Sequence, residues 1–235
     1  MSDKPEFPLA ILAKEPVAGW VKTRLIPRLG AEGAAELHRR LVWHTLETAV
    51  AATSPAAITL WTAYTSLHDP IHASLYGPEH AFFDECAERF GIRLCPQPQG
   101  DLGIRMHAAL AAMPGPGLVI GCDCPTLDAS LLQRCQAALV SADCVLLPAE
   151  DGGYALVGTR HADQRLFADI DWGTERVMTQ TLSRIQALGW SHACPARVWD
   201  VDRPADLDRL LSLPSAAHWR AIVAAGIAPR QGEGE

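Results

Sequence analysis

The 235-residue chain has no long hydrophobic run. Stretches such as Leu118 to Ile120 or Cys144 to Leu147 fall far short of the ~20 apolar residues that a bilayer crossing needs. The N-terminal Met1-Ser2-Asp3-Lys4-Pro5-Glu6 is not a basic segment leading into an apolar one, so no export leader and a cytoplasmic location are expected. Positive charge is also scarce: Lys plus Arg number 20 against 27 Asp plus Glu, a formal net charge of −7. A nucleic-acid groove needs a dense basic stripe, and none is present. The cysteines number seven, an odd count at irregular spacings, which excludes a paired extracellular disulfide framework and fits reduced thiols. Cys122 and Cys124 form C-x-C with no second pair, a poor start for a tetrahedral zinc site. Several catalytic spacings are missing as well: H-E-x-x-H, G-x-S-x-G, the Walker G-x-x-x-x-G-K-[ST] and G-x-G-x-x-G. Hydrolase, zinc-protease and dinucleotide readings lose their support.

What remains is 49% hydrophobic residues, enough for a sizeable core, and short β-like runs alternating with helix-like ones. This pattern predicts a single α/β domain over residues 1–228, with a mostly parallel central sheet and a disordered tail at 229–235. Strands are expected at 8–13, 57–61, 92–95, 117–121, 143–148 and 154–158, with a last one at 197–201 closing the sheet. Helices are expected at 31–52, 79–90, 102–113, 128–140, 174–188 and 204–213, the last with Pro204 in its first turn. In such sheets ligands sit beyond the carboxyl ends of the strands, where the chemistry-bearing segments of this chain also fall.

Five segments carry the candidate site. Lys14 to Leu25 is a loop with three cations, Lys14, Lys22 and Arg24, together with Gly19 and Thr23. Its position after the first strand suits phosphate binding: Arg24 offers paired hydrogen bonds and Lys22 a compact charge. A solvated basic loop is the alternative. Gly121 to Leu127 places Asp123 directly after a buried strand, where one carboxylate with substrate phosphates can hold Mg²⁺. Asp200 to Leu207 brings Asp202 as a second ligand, or else as the N-cap of the helix at Pro204. Glu150 to Leu156 sets Asp151 before Gly152, Gly153 and Tyr154; Asp151 is read as a base or a binder of sugar hydroxyls, and a plain hairpin turn is the alternative. Gln99 to Met106 supplies Gly103 and Arg105 at a helix start capped by Asp101.

These segments, P-x-x-G-x-V-K-T-R-L, D-L-G-x-R-M, G-x-D-C-P-x-L, D-G-G-Y-x-L-x-G and D-x-D-x-x-x-D-L, resemble in order the rSAM/selenodomain-associated transferase 1 group of glycosyltransferase-like proteins. The resemblance spans roughly residues 8–211. It implies a GT-A-type, Rossmann-like three-layer fold of the nucleotide-diphospho-sugar transferase superfamily, which nucleotidyltransferases share. It further implies Asp123 as the metal-binding aspartate and Lys22 and Arg24 near a nucleotide; read with Asp202 as the second ligand, the site is expected to take Mg²⁺ or Mn²⁺ and a nucleotide or nucleotide sugar. Two positions depart from the pattern: Cys122 stands where Ser is usual, and Arg203-Pro204 replaces a D-x-D-T ending. The expected function is metal-dependent glycosyl transfer from a nucleoside diphosphate sugar. Nucleotidyl transfer with pyrophosphate release and non-catalytic nucleotide binding are the alternatives, and the oligomeric state is open.

Overall fold

The computed structural model describes residues 5–64, 81–213 and 219–220. A seven-stranded sheet runs through it in the order β3-β2-β1-β4-β6-β5-β7. The strands are β1 (Leu9–Lys14), β2 (Ile58–Ala63), β3 (Arg93–Pro96), β4 (Gly117–Ile120), β5 (Cys144–Pro148), β6 (Tyr154–Thr159) and β7 (His192–Ala193). β1 pairs in parallel with β2 on one side and β4 on the other, whereas β6 runs antiparallel between β4 and β5. The order therefore reverses between β1 and β4. Their carboxyl ends open a crevice, the usual ligand position in an open α/β sheet.

Strict alternation along the strands explains the layers. Leu9, Ile11 and Ala13 of β1, Leu118 and Ile120 of β4, and Val145 and Leu147 of β5 point to one core. That face is covered by α1 (Ile26–Ala52), α2 (Ala81–Phe90) and α4 (Ala129–Ala138). Ala10, Val119, Cys144 and Leu146 point to the other core. There α3 (Leu102–Ala111) and α5 (Val177–Ala187) contribute Met106, Leu110 and Ile185. Strands buried on both faces read as continuous apolar runs, which is why 118–120 and 144–147 stood out in the sequence. A third cluster packs α6 (Pro204–Ser212) and the segment Trp199–Val201 against Leu25, Leu29, Leu37 and Leu41. It holds the segment carrying Asp200 and Asp202 over the crevice.

Helix caps follow local chemistry. Asp101 accepts from the Ile104 amide at 2.9 Å and Asp128 from Leu131 at 2.7 Å, each satisfying a first-turn N–H. α1 begins at Ile26, earlier than expected, because Pro27 is tolerated in a first turn. Gly30, at φ 71°, then breaks the helical path before it resumes. A larger correction concerns residues 197–201, which do not form the closing strand. β7 takes the sheet edge, and this later segment touches the sheet through one parallel bridge, Ala149 to Val198. It crosses the carboxyl ends of the strands, where Val201 N–H donates to the Asp123 carbonyl at 2.8 Å. The start of the expected helix at 79–90 and the tail at 229–235 lie outside the described residues. Among the described residues no helix is long and apolar enough to cross a membrane.

Candidate active site

A cleft of about 550 Å³ lies over the carboxyl ends of β1 and β4. Its lining includes Lys14, Lys22, Thr23, Arg24, Arg105, Asp123, Asp151, Gly153, Tyr154 and Asp202, so four of the five segments and part of the fifth converge there. The three other glycines of the expected set do not line it. Gly103 faces Phe167 and Trp172, where a Cβ would stand 2.9 Å from each side chain. Gly19 serves the loop with a φ of 85°, and Gly152 braces the hairpin turn, as described below.

Lys22 is the most constrained residue of the site. Its backbone is left-handed (φ 48°, ψ 39°), a region that costs a non-glycine residue about 1–2 kcal/mol. The side chain is 5% exposed, its Nζ lying 2.7 Å from Asp123 Oδ1 and donating to the Val201 carbonyl at 2.6 Å. Three separate stretches of chain are thereby joined at one ammonium. Asp123 itself is half exposed toward the cleft. Enclosure acts most strongly on its carboxyl and favours the neutral form, but the combined pull of Lys22, His38 and Lys14 outweighs it and holds the group below the usual carboxylate range.

Arg24 pairs with Asp202 across 178 positions of sequence. Asp202 is therefore not the N-cap of α6: the Asp206 carboxylate accepts from the Asp202 and Arg203 amides at 3.0 and 2.6 Å. Asp151 accepts the Gly153 amide at 2.9 Å in a turn that also lines the cleft, so the hairpin reading and the binding reading describe the same residues.

Several cleft residues lie outside the set of candidate site residues read from the sequence. Asp200 is half-buried there, and its carboxyl is pushed up to about 6 by burial and then by the neighbouring charge of Asp151. His38, on α1, is 6% exposed and faces the Lys14 carbonyl through Nε2 at 3.0 Å. Gln97 donates to the carbonyls of Ala13 and Trp61 at 3.1 and 2.8 Å, and its own oxygen accepts from Arg105 at 3.4 Å. Trp20 stands half exposed in the lining, and a sixth segment, Trp172-Gly173-Thr174, adds a further wall. An isolated tryptophan in an otherwise polar loop, Asp171-Trp172-Gly173-Thr174, was the one available signal for that wall.

The donor set suits a hard cation. Asp123, Asp200 and Asp202 offer carboxylate oxygens to the same cleft, and Mg²⁺ or Mn²⁺ completes its shell with substrate phosphates and water. Among the described residues no three His, Cys, Asp or Glu side chains converge as a ready-made cage. The thiols of Cys122 and Cys124 are buried, and that burial raises their pKa values. Cys122 Sγ donates to the Leu12 carbonyl at 3.5 Å, a structural use.

The fold is similar to that of solved structures described as a nucleotide-diphospho-sugar transferase and as nucleotidyltransferases. A candidate nucleotide-diphospho-sugar transferase from Desulfovibrio desulfuricans G20 superposes with a TM-score of 0.71 at 22% identity, covering 95% of this chain and 98% of that one. A 4-diphosphocytidyl-2C-methyl-D-erythritol synthase from Anaerococcus prevotii DSM 20548 gives 0.54 at 10% identity, covering 92% and 96%. A cytidylyltransferase from Leptospira borgpetersenii serovar Hardjo-bovis gives 0.50 at 12%, covering 92% of each chain. The family model described as an uncharacterized protein conserved in bacteria (DUF2064) matches residues 48–174, more than half of the sequence, and the chain belongs to that family. No curated protein sequence matches it.

Proposed function

We propose that the chain is a Mg²⁺- or Mn²⁺-dependent glycosyltransferase that uses a nucleoside diphosphate sugar. The observation that carries this reading is the convergence of Lys22, Arg24, Asp123 and Asp202 on one cleft at the sheet's switch point. Asp123 and Asp202 would hold the metal, with Asp200 within reach of the same space. Bound there, the metal would offset charge on the diphosphate.

Lys22 and Arg24 supply fixed positive charge where negative charge builds on the leaving group, often the largest single contribution to catalysis. In the transfer step the acceptor oxygen forms a bond to the anomeric carbon while the bond from that carbon to the diphosphate oxygen breaks. The acceptor's proton passes to the Asp151 carboxylate, and the electron pair of the broken bond leaves on the nucleoside diphosphate. Lys14, Thr23 and Arg105 line the same cleft and complete the proposed nucleotide site.

Calorimetric titration with UDP-, GDP-, ADP- and CDP-sugars in the presence of Mn²⁺ tests the assignment. Asp123→Ala is expected to weaken metal-dependent binding by about 100-fold, or about 2.7 kcal/mol, in a protein that still unfolds cooperatively. Unchanged affinity in that variant would overturn the metal assignment.

A second reading, nucleotidyl transfer from an NTP to a phosphorylated acceptor, draws support from the Asp200-x-Asp202-x-Pro204-x-Asp206-Leu207 ending and from the likeness to a cytidylyltransferase. Pyrophosphate release from an NTP would establish it, whereas hydrolysis of one nucleotide sugar to sugar and NDP supports the first reading.

A further inference from the structure

The cleft has two unlike walls. The side built from the β1–α1 loop and the start of α3 brings Lys14, Lys22, Thr23 and Arg105. A second stretch of lining comes from the hairpin 149–154 and residues 172–177, where Trp172 also reaches Gly103 at the start of α3, and it includes an edge-to-face aromatic pair, Tyr154 and Trp172, with ring centroids 6.4 Å apart at 82°. The two stretches form one unit. Gly152, at φ 92°, lies so near the other segment that a Cβ would stand 2.6 Å from the Glu175 Cα, and the Met178 amide donates to the Gly152 carbonyl at 2.8 Å.

Charge accounting on this wall is lopsided. Nearby guanidinium groups are already matched: Arg24 with Asp202, Arg176 with Asp171 at 3.1 Å, and Arg209 with Glu150 at 2.8 Å. Asp151 and Asp200 face the cleft, and neither makes an ion pair among the described residues. A phosphate group brought to this side would meet two carboxylates, and the guanidinium within reach of both, Arg24, is held by Asp202. A neutral ring would instead meet the cleft-lining parts of Tyr154 and Trp172 and carboxylate acceptors for its hydroxyls.

Resting on the transferase reading above, we infer that the Asp151–Tyr154 and Trp172–Thr174 wall is the acceptor subsite and that it selects a neutral, polyhydroxylated acceptor over a phosphomonoester. Asp151 lies where it can accept a hydroxyl hydrogen bond, the cleft-lining parts of Tyr154 and Trp172 give the sugar an apolar contact, and the Asp151 charge disfavours an anion.

Saturation-transfer NMR on the full chain with Mg²⁺ and each of UDP, GDP, ADP and CDP tests this, using methyl β-D-glucopyranoside as the neutral probe and glucose 6-phosphate as the anionic one. Binding of the neutral probe is expected to exceed that of the phosphate by about tenfold, the effect of one unfavourable charge contact. Asp151→Asn keeps the oxygen that accepts the Gly153 amide and should narrow that ratio. Asp151→Lys should invert it, and Trp172→Ala should remove the neutral signal.

Equal or stronger binding of glucose 6-phosphate, a ratio unmoved in Asp151→Asn, or no transfer from either probe would overturn the inference. A thermal shift by the nucleoside diphosphates in the same samples separates the two levels of the argument. With a nucleotide shift and no sugar signal, the acceptor assignment alone fails; with no nucleotide shift, the transferase reading fails too.

Discussion

At the scale of single residues, the cleft is organised by groups whose charge state is fixed by their neighbours. His38 is the buried example. Its Nε2 must donate to the Lys14 carbonyl, which leaves Nδ1 as a lone-pair nitrogen without a partner among the described residues. Burial lowers its pKa below the ordinary 6.5, so folding favours the neutral ring. The unfolded chain then binds more protons than the folded one between the two values. Stability from this residue is complete above pH 6.5 and drains away as pH falls through the lower folded value. Thermal unfolding midpoints of the wild type are expected to fall more steeply below pH 6.5 than those of His38→Leu, measured in parallel by circular dichroism. Parallel slopes would mean that the ring titrates normally.

At the scale of elements, the proposed acceptor wall depends on the near contact of Gly152 with Glu175. Gly152→Ala combines an unfavourable positive φ with a collision against backbone, and a cost of about 1–3 kcal/mol is expected. A lower urea midpoint at unchanged slope would register it.

Elements also show what could be read in advance. The buried runs in β4 and β5 and the capping aspartates 101 and 128 declare themselves through composition and local hydrogen bonding, and their ends place Asp123 and Asp151. Residues 197–201 misled because an extended segment and a strand share one residue pattern. What distinguishes them is the partner, here the Pro148 and Asp123 carbonyls at the strand ends, which lie far away in sequence. For the same reason the Arg24–Asp202 pairing and the approach of Asp200 to Asp151 had no local signature. Trp172 escaped notice because the chemistry of a loop tryptophan depends on what faces it, in this case Tyr154 on β6.

For the molecule as a whole, a ligand that binds only the folded chain raises its stability by mass action. At one hundred times its dissociation constant, a cognate nucleotide with Mn²⁺ should add about 2.7 kcal/mol. In a domain of this size that is a rise of roughly 5–10 °C in the unfolding midpoint, readable by differential scanning fluorimetry. Nucleotide without the metal should give a smaller rise if Asp123 and Asp202 act through a shared cation. An equal rise with and without metal would leave the two cations as the main phosphate partners. Lys14, Lys22, Arg24 and Arg105 stand in the cleft beside Asp123, Asp151, Asp200 and Asp202, so its lining is close to balanced in charge within a chain of net charge −7.

One feature of the sheet shapes how such a protein can diversify. Because β6 runs against its neighbours, it enters the sheet at the mouth of the cleft, and the tight link from β5 at 149–153 hangs over that opening. Residues added to or removed from this link would remodel the doorway while every pairing in the sheet kept its register. Variation at this hairpin would therefore reshape the opening of the cleft while the strand pairings beneath it stayed as they are, provided the close packing of Gly152 on Glu175 is kept.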